Sequence, residues 1–273
     1  HIHVNAKVAK LAPLRAAGST TGMVRVTLTS GKFFDAHDVV STLPLGPLRN
    51  VDLSECAIPQ PQTLAMRVLE YDASVKVVLV FKSRWWETET AAVRGGQDST
   101  DLLSRTIVFP SYGPGYKGTG VMIASYSWAQ DAIRMGGMTE DERIEACLRD
   151  LANLYKNDAL LRSQLLREKC FSHAWHNDPW TLGAFALYGP GEFKEHFNNA
   201  ISPAVDGRLH FAGEALDIHH AWILGALNSA WRSVYEILSR RKDTERLHKL
   251  VNNWGKIDTV DIHLPASKKL KGN

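Results

Sequence analysis

Glu214 follows directly on a short apolar run in "GRLHFAGEALDIHHAW", where nothing about folding stability requires an acid. Leu209–Ala212 has the length and apolarity of a buried strand, and Gly213 would let a ligand approach the backbone closely. A carboxylate at a strand's carboxyl end occupies the usual ligand crevice of open α/β sheets, where it can accept hydrogen bonds from sugar-like hydroxyls. Lys76 is a second candidate, a cation in the middle of the β-branched run "SVKVVLVF". An amino group there is costly unless it is paired or used, and a used one can manage a proton or a water. The third candidate is the helix expected to start near Trp222, whose N-terminal N–H groups favour negative charge. Gly225, Ala226, Ser229 and Ala230 give that helix a small face that would let it press closely on a sheet. Each feature also has an ordinary reading: an exposed loop acid, a lysine snorkelling off an edge strand, and tight packing alone.

The elements that must position these residues mix sheets and helices without regular βαβ alternation. The first fifty residues read as a β-meander: "IHVNAKVAKL", then "MVRVTLTS" with Val24, Val26 and Leu28 on one face, then "FFDAHDVV" after a turn at Gly31-Lys32. "TLPLGPL" interrupts it, because two prolines and a glycine cannot sit inside a ladder. Leu69–Phe81 predicts a long buried strand, and "SRTIVFPSY" and "GVMIASYSW" predict two more around a glycine-rich turn. Thr139 and Glu142 form a capping box that opens a helix with the stripe Ile144, Cys147, Leu148, Leu151, Leu154 and Tyr155.

Composition narrows the function class. The chain has 273 residues, 44% hydrophobic and 22% charged, with no apolar run of the ~18 residues a membrane span needs. Its net charge of +3 divides into +5 over residues 239–273 and −2 over the rest, so the body is not a nucleic-acid surface. The basic end reads as a solvated, partly mobile tail. Cys56, Cys147 and Cys170 are odd in number and lack CxxC spacing, which argues against a disulfide framework or a zinc site and for half-buried thiols. "GPGYKG" at 113–118 matches G-x-G-x-x-G by letter, but a strand follows it instead of a helix, so it reads as a hairpin loop. There is no G-x-S-x-G elbow, P-loop or H-E-x-x-H, and the adjacent His219 and His220 make a poor metal pair.

"GRLHFAGEALDIHHAWILGALNSAW" resembles the C-terminal FAD-binding signature of the flavin-dependent amine oxidases, and is most similar to the L-amino acid oxidase branch. Four further segments resemble that family in order. "NAKVAKL" with the meander and "DVVSTLP" is similar to its adenine side, and "SVKVVLVFKSRWWE" to the strand of its active-site lysine. "GGQDSTDLLSRTIVFPSYGPGYKGTGVMIASYSWAQDA" is similar to its next hairpin, and "WHNDPWTLGAF" to the segment bounding the pocket over the flavin. The matches span roughly residues 1–240. The implied fold is α+β / α/β, the C-terminal half of a two-domain flavin amine oxidase. Residues 1–55 and 191–240 would belong to its FAD-binding part, 56–190 to a substrate part with a mixed or antiparallel sheet plus helices, and 241–273 to the basic tail.

The resemblance also implies roles. Val8 would hold the adenine through its backbone, and Lys76 would bind a water beside flavin N5. Gly213 and Glu214 would meet the ribityl chain or nearby diphosphate-sugar atoms. Trp175 would lie near the flavin ring, or be a plain core tryptophan. Trp222 and Ile223 would follow the flavin edge, Trp222 also walling the substrate cavity. A helix start aimed at the pyrimidine edge would favour the reduced flavin, which gains negative charge there. Ala221 would offer its carbonyl to the substrate amino group and Phe185 would face the substrate side chain. Tyr126 would bind the substrate carboxylate, with Ser125 competing for that place. The implied reaction is FAD-dependent oxidative deamination of an L-amino acid by oxygen to a 2-oxo acid, ammonia and hydrogen peroxide, without a metal. "HAW" leans towards amino acids, although the family's carboxylate-binding arginine is expected before residue 1. Two alternatives stay open: a monoamine or polyamine oxidase, and a non-catalytic fragment that binds a partner. The family's Gly-rich pyrophosphate turn does not appear, and the chain opens "HIHVNAKV" without Met. A fragment or a processed chain that stays with its N-terminal half is expected, while compartment and any homo-oligomer stay open.

Overall fold

Alternation of apolar and polar residues builds the first sheet, and the structure, a computed structural model, describes residues 1–14, 22–88 and 91–257. Strands β1 (Val8–Leu14), β2 (Met23–Leu28) and β3 (Phe33–Ala36) form an antiparallel meander, with Val24 and Leu28 buried. The first strand begins later than its sequence suggests, and "FFDAHDVV" is not one strand. It breaks at His37–Asp38, and β4 (Val39–Ser41) leaves the meander for a different sheet. Asp38 is held at the break by Arg240 and Arg241. The proline-rich stretch becomes the short helix α1 (Leu45–Leu48), followed by α2 (Gln60–Val68) and the two-residue strand β5 (Glu70–Tyr71).

The run expected as one strand is cut at Asp72, which opens a second compact unit, Asp72–Ala184. Its sheet has β6 (Ser74–Phe81), β7 (Gly96–Ser99), β8 (Thr106–Phe109), β9 (Gly120–Trp128) and β10 (Phe171–Ala174) in the order β10-β6-β9-β8-β7, with every pairing antiparallel. The segment 113–118 is the loop between β8 and β9, as the strand after it requires. Helices α3 (Ala129–Gly136), α4 (Glu140–Tyr155) and α5 (Asp158–Gln164) complete the unit. Thr139 and Glu142 make the reciprocal capping box, and Ile144, Cys147, Leu148 and Leu151 pack into the core beside Val75, Val77 and Leu79. Leu154 is exposed, while Tyr155 continues the stripe against Trp85 and Phe109.

The first unit, His1–Tyr71 with Phe185–Asn273, resumes with β11 (Ala186–Leu187), which pairs antiparallel with β5. Helix α6 (Glu192–Ala200) then leads to β12 (Leu209–Phe211), wholly buried and parallel to β4. Helix α7 (Ile223–Arg241) follows, and α8 (Thr244–Trp254) starts on an Asp243 cap. Part of the expected loose tail is therefore folded: Leu247 packs with Trp231, Tyr235 and Leu238. Residues 258–273, the rest of that tail, lie outside the described residues. The expected domain borders fell at 55/56 and 190/191, whereas the two units meet at 71/72 and 184/185.

The three cysteines are unpaired and buried outright, not half-buried. Burial pushes the Cys56 thiol up to about 11 and that of Cys147 up to about 12, and raises Cys170 as well. The thiolate is the reactive form, and each unit of upward shift cuts its fraction at neutral pH about tenfold. A chromogenic disulfide reagent is expected to label none of the three within minutes in the native protein and all three after denaturation. Fast native labelling would contradict this packing.

Candidate functional site

The second unit presents Lys76 on a face prepared by strand alternation. Val75, Val77 and Leu79 are fully buried on one side of β6, so Lys76 points to the other. His173 of β10 and Tyr126 of β9 are its direct cross-strand partners, which puts the three side chains in one row. The Lys76 Nζ stands 4.5 Å from the Tyr126 ring centroid and 5.4 Å from that of Trp175. Among the described residues it has no carboxylate partner, so a half-buried ammonium is satisfied by aromatic faces alone. Tyr126 in turn packs edge-on against Trp128. The pleat separates the neighbours in "IASYSW": Ser125 is fully buried and donates to the Ser104 carbonyl at 2.9 Å, while Tyr126 stands beside Lys76.

His173 was not singled out in the sequence. Its ring stands edge-on to Trp175 at 4.6 Å, and its Nε2 lies 3.2 Å from Asp178 Oδ2. Only the pairing of β10 with β6 reveals it, because residues about a hundred apart must be brought into register.

In the first unit, the parallel pair β4–β12 ends at Gly213 and Glu214, where a crevice at strand carboxyl ends is expected. Gly213 has φ 143°, a region essentially restricted to glycine, and a Cβ there would meet no protein atom within 4 Å. Its N–H donates to Ser229 Oγ at 2.8 Å, which ties the strand end to α7. Glu214 Oε1 accepts from the Ala186 N–H at 3.1 Å, and Oε2 from the Ala221 N–H at 2.8 Å. Ala221 is left-handed, with φ 62°. Phe185 is half-buried immediately before β11, and Val8 is half-buried in β1 opposite Leu28.

The loop "ALDIHHAW" is shaped by a buried acid. Asp217 Oδ1 accepts from the His219 N–H at 3.0 Å and lies 2.8 Å from His219 Nδ1. The small face of α7 serves this loop, and it differs from the face read in the sequence. Gly225 and Ser229 are buried, Ala226 is half-buried and Ala230 is exposed. A Cβ on Gly225 would come within 2.2 Å of the His219 carbonyl oxygen, so the glycine admits the loop backbone. Trp222 occupies the N-cap position of α7 with no side-chain cap, and the first turn holds no acid. The helix's N-terminal N–H groups and dipole are thus left to whatever approaches them. Trp222 and Ile223 beside them are 69% and 81% exposed.

His220, read in the sequence only as half of a poor metal pair, also belongs to this region. His220 lies 5.3 Å from the Tyr188 ring and 6.1 Å from that of Phe193, with a hydrogen bond to the Ala215 backbone. Burial lowers its pKa from the ordinary 6.5, so the folded protein favours the neutral ring. A depressed folded pKa means that the unfolded chain binds more protons as pH falls. The His220 contribution to stability is then fully present above pH 6.5 and lost as pH drops through the folded value. His220→Asn keeps a donor but cannot titrate, so its thermal midpoint should fall less than the wild type's between pH 7 and 5. Parallel curves would remove His220 from the acid response.

A backbone that only glycine can follow, an uncapped helix start and two exposed apolar side chains beside it fit a large, planar, partly anionic group. The fold itself has solved relatives. Wild-type putrescine oxidase bound to putrescine superposes with a TM-score of 0.67 at 16% identity, covering 86% of this chain and 49% of that one. Residues 1–238 match the family model of the flavin containing amine oxidoreductases, and the chain belongs to that family. FAD is accordingly its cofactor. The chain is 41% identical over 246 residues to L-amino-acid oxidase 4 of Hebeloma cylindrosporum, covering 85% of this chain and 39% of the relative. It is 31% identical over 215 residues to an L-amino-acid oxidase of Mus musculus, covering 78% and 32%. The chain thus spans less than half the length of these relatives. No group of three His, Cys, Asp or Glu side chains among the described residues could hold a metal, and no described helix is long and apolar enough to cross a membrane.

Proposed function

We propose that the protein, completed by the rest of the family fold, oxidatively deaminates an L-amino acid with oxygen. The products are hydrogen peroxide and an imino acid, which water converts to a 2-oxo acid and ammonia. When bound, FAD supplies the two-electron redox chemistry, and the protein supplies binding, orientation and proton control. Val8, Gly213, Glu214, Trp175, Trp222 and Ile223 hold the cofactor. Tyr126 donates to the substrate carboxylate, the Ala221 carbonyl accepts from its amino group, Phe185 packs on its side chain, and Trp222 closes the wall. Lys76 holds a water and moves its proton.

The observation that carries this reading is Lys76, whose half-buried ammonium has aromatic neighbours and, among the described residues, no acidic partner. A binding module gains nothing from such a group, whereas an oxidase uses it. The need for completion is supported by the lengths of the relatives and by Ile223, Leu227 and Val234, an exposed apolar row along α7. The test is peroxide release from the completed, flavin-loaded enzyme on a panel of L-amino acids and their decarboxylated amines. Turnover of amino acids with inert amines is expected. The reverse pattern would make it an amine oxidase, and neither flavin nor turnover would leave a partner-binding chain.

A further inference from the structure

Resting on the proposed amino-acid oxidation, we infer that Glu214 is a positioning residue for the substrate side, and not a cofactor ligand alone. A carboxylate only accepts hydrogen bonds, and each Glu214 oxygen already takes one backbone N–H from a different segment. The first segment is β11, a strand of two residues whose pairing with β5 is too short to fix its place firmly. The second is Ala221, held in a left-handed conformation that alanine avoids unless its surroundings impose it. The acid therefore anchors the two backbone points that most need an anchor. Each is one residue from a side chain assigned to the substrate: Phe185 precedes Ala186, and Trp222 follows Ala221. Releasing the Ala221 N–H would also reorient the neighbouring peptide that leads to Trp222.

The node is itself well fixed. Gly213 binds Ser229 on α7, so the residue before Glu214 is tied to the helix that Trp222 begins. Glu214 thus joins the loop to β11, and Ser229 joins the strand end to α7. Glutamine cannot replace it, because its amide would turn a donor towards one of the two N–H groups. Aspartate is one methylene shorter and cannot span the same gap.

The test compares flavin-loaded wild-type enzyme with Glu214→Gln by hydrogen exchange and by turnover per bound flavin. Exchange is expected to quicken at least tenfold in peptides covering 185–187 and 219–222, and to stay unchanged in β6. KM for the amino acid should rise at least tenfold while kcat changes less than threefold. A merely structural loss would reduce the amount of active enzyme and leave KM alone. Wild-type exchange in both peptides, with FAD loss as the only defect, would overturn the inference. If Glu214→Gln does not accumulate, Glu214→Asp is read the same way, and wild-type protection in it would also overturn the inference. If the wild type oxidises no amino acid, the proposed function fails, while the exchange comparison still decides what Glu214 holds.

Discussion

Lys76→Met is expected to lower turnover about a hundredfold or more, the scale of a lost proton-handling group, while FAD stays bound. Methionine matches the length of the lysine stem, so the sheet face keeps its packing. Its sulfur can contact the Tyr126 and Trp175 rings that now face the ammonium, with a gain of about 0.3–1.5 kcal/mol. Among the described residues Lys76 makes no ion pair, so none of these is broken. The thermal midpoint should therefore hold or rise, which separates a functional lysine from a structural one. Stopped-flow spectroscopy divides the effect further. Anaerobic bleaching of the flavin by substrate should persist, and reoxidation by oxygen should carry the loss. Unchanged reoxidation would remove Lys76 from the chemistry, and a loss confined to bleaching would move it to the reductive half. Lys76→Arg keeps the charge but adds bulk between two rings, so it should fall between wild type and methionine.

How much of this was legible in the sequence depends on how far apart the interacting residues lie. Lys76 stood out because its cost is local: a cation among β-branched residues asks for a reason without any knowledge of its neighbours. Gly213 and Glu214 stood out likewise, through a strand that ends on a glycine. The capping box at Thr139 was readable for the same reason, since both of its partners sit within one turn. What Glu214 holds was not legible, because Ala186 is 28 positions away and meets it through a backbone N–H, which leaves no mark on residue type. His173 was hidden in the same manner until β10 paired with β6. "FFDAHDVV" misled because both halves are good strands, and the break between them is stabilised by Arg240 and Arg241 from the far end of the chain. The small face of α7 was read too wide, taking in the exposed Ala230, because a loop covers it where a flat sheet was expected. Helix α8 was lost in the net charge of the tail, although Leu247 and Leu250 carry its apolar side.

Arg232 carries the second large effect, and it bears on the same strand end from below. The side chain is 4% exposed. It donates to the carbonyls of Ile201 at 3.0 Å and Phe211 at 2.8 Å, and to Glu236 Oε1 at 3.0 Å. Glu236 Oε2 lies 2.8 Å from Nδ1 of His210, which is itself 1% exposed. One guanidinium thus satisfies the last residue of β12, the end of α6 and a half-buried acid. Arg232→Met removes the cation and leaves those acceptors without their donor, a change that typically costs about 3–5 kcal/mol. At about 2–4 °C per kcal/mol, the thermal midpoint of the unit containing β12 should fall by about 6–20 °C. FAD should leave earlier in the scan, because Phe211 is two residues from Gly213. None of these groups lies in the second compact unit, and scanning calorimetry reads the midpoint. Adding Glu236→Leu to the variant removes the uncompensated acid, so the double variant should recover part of the loss even though one more polar group is gone. A single variant that melts within about 2 °C of wild type, under about 1 kcal/mol on that scale, would mean that the acceptors find other donors. The strand end that carries Gly213 and Glu214 would then not depend on this guanidinium.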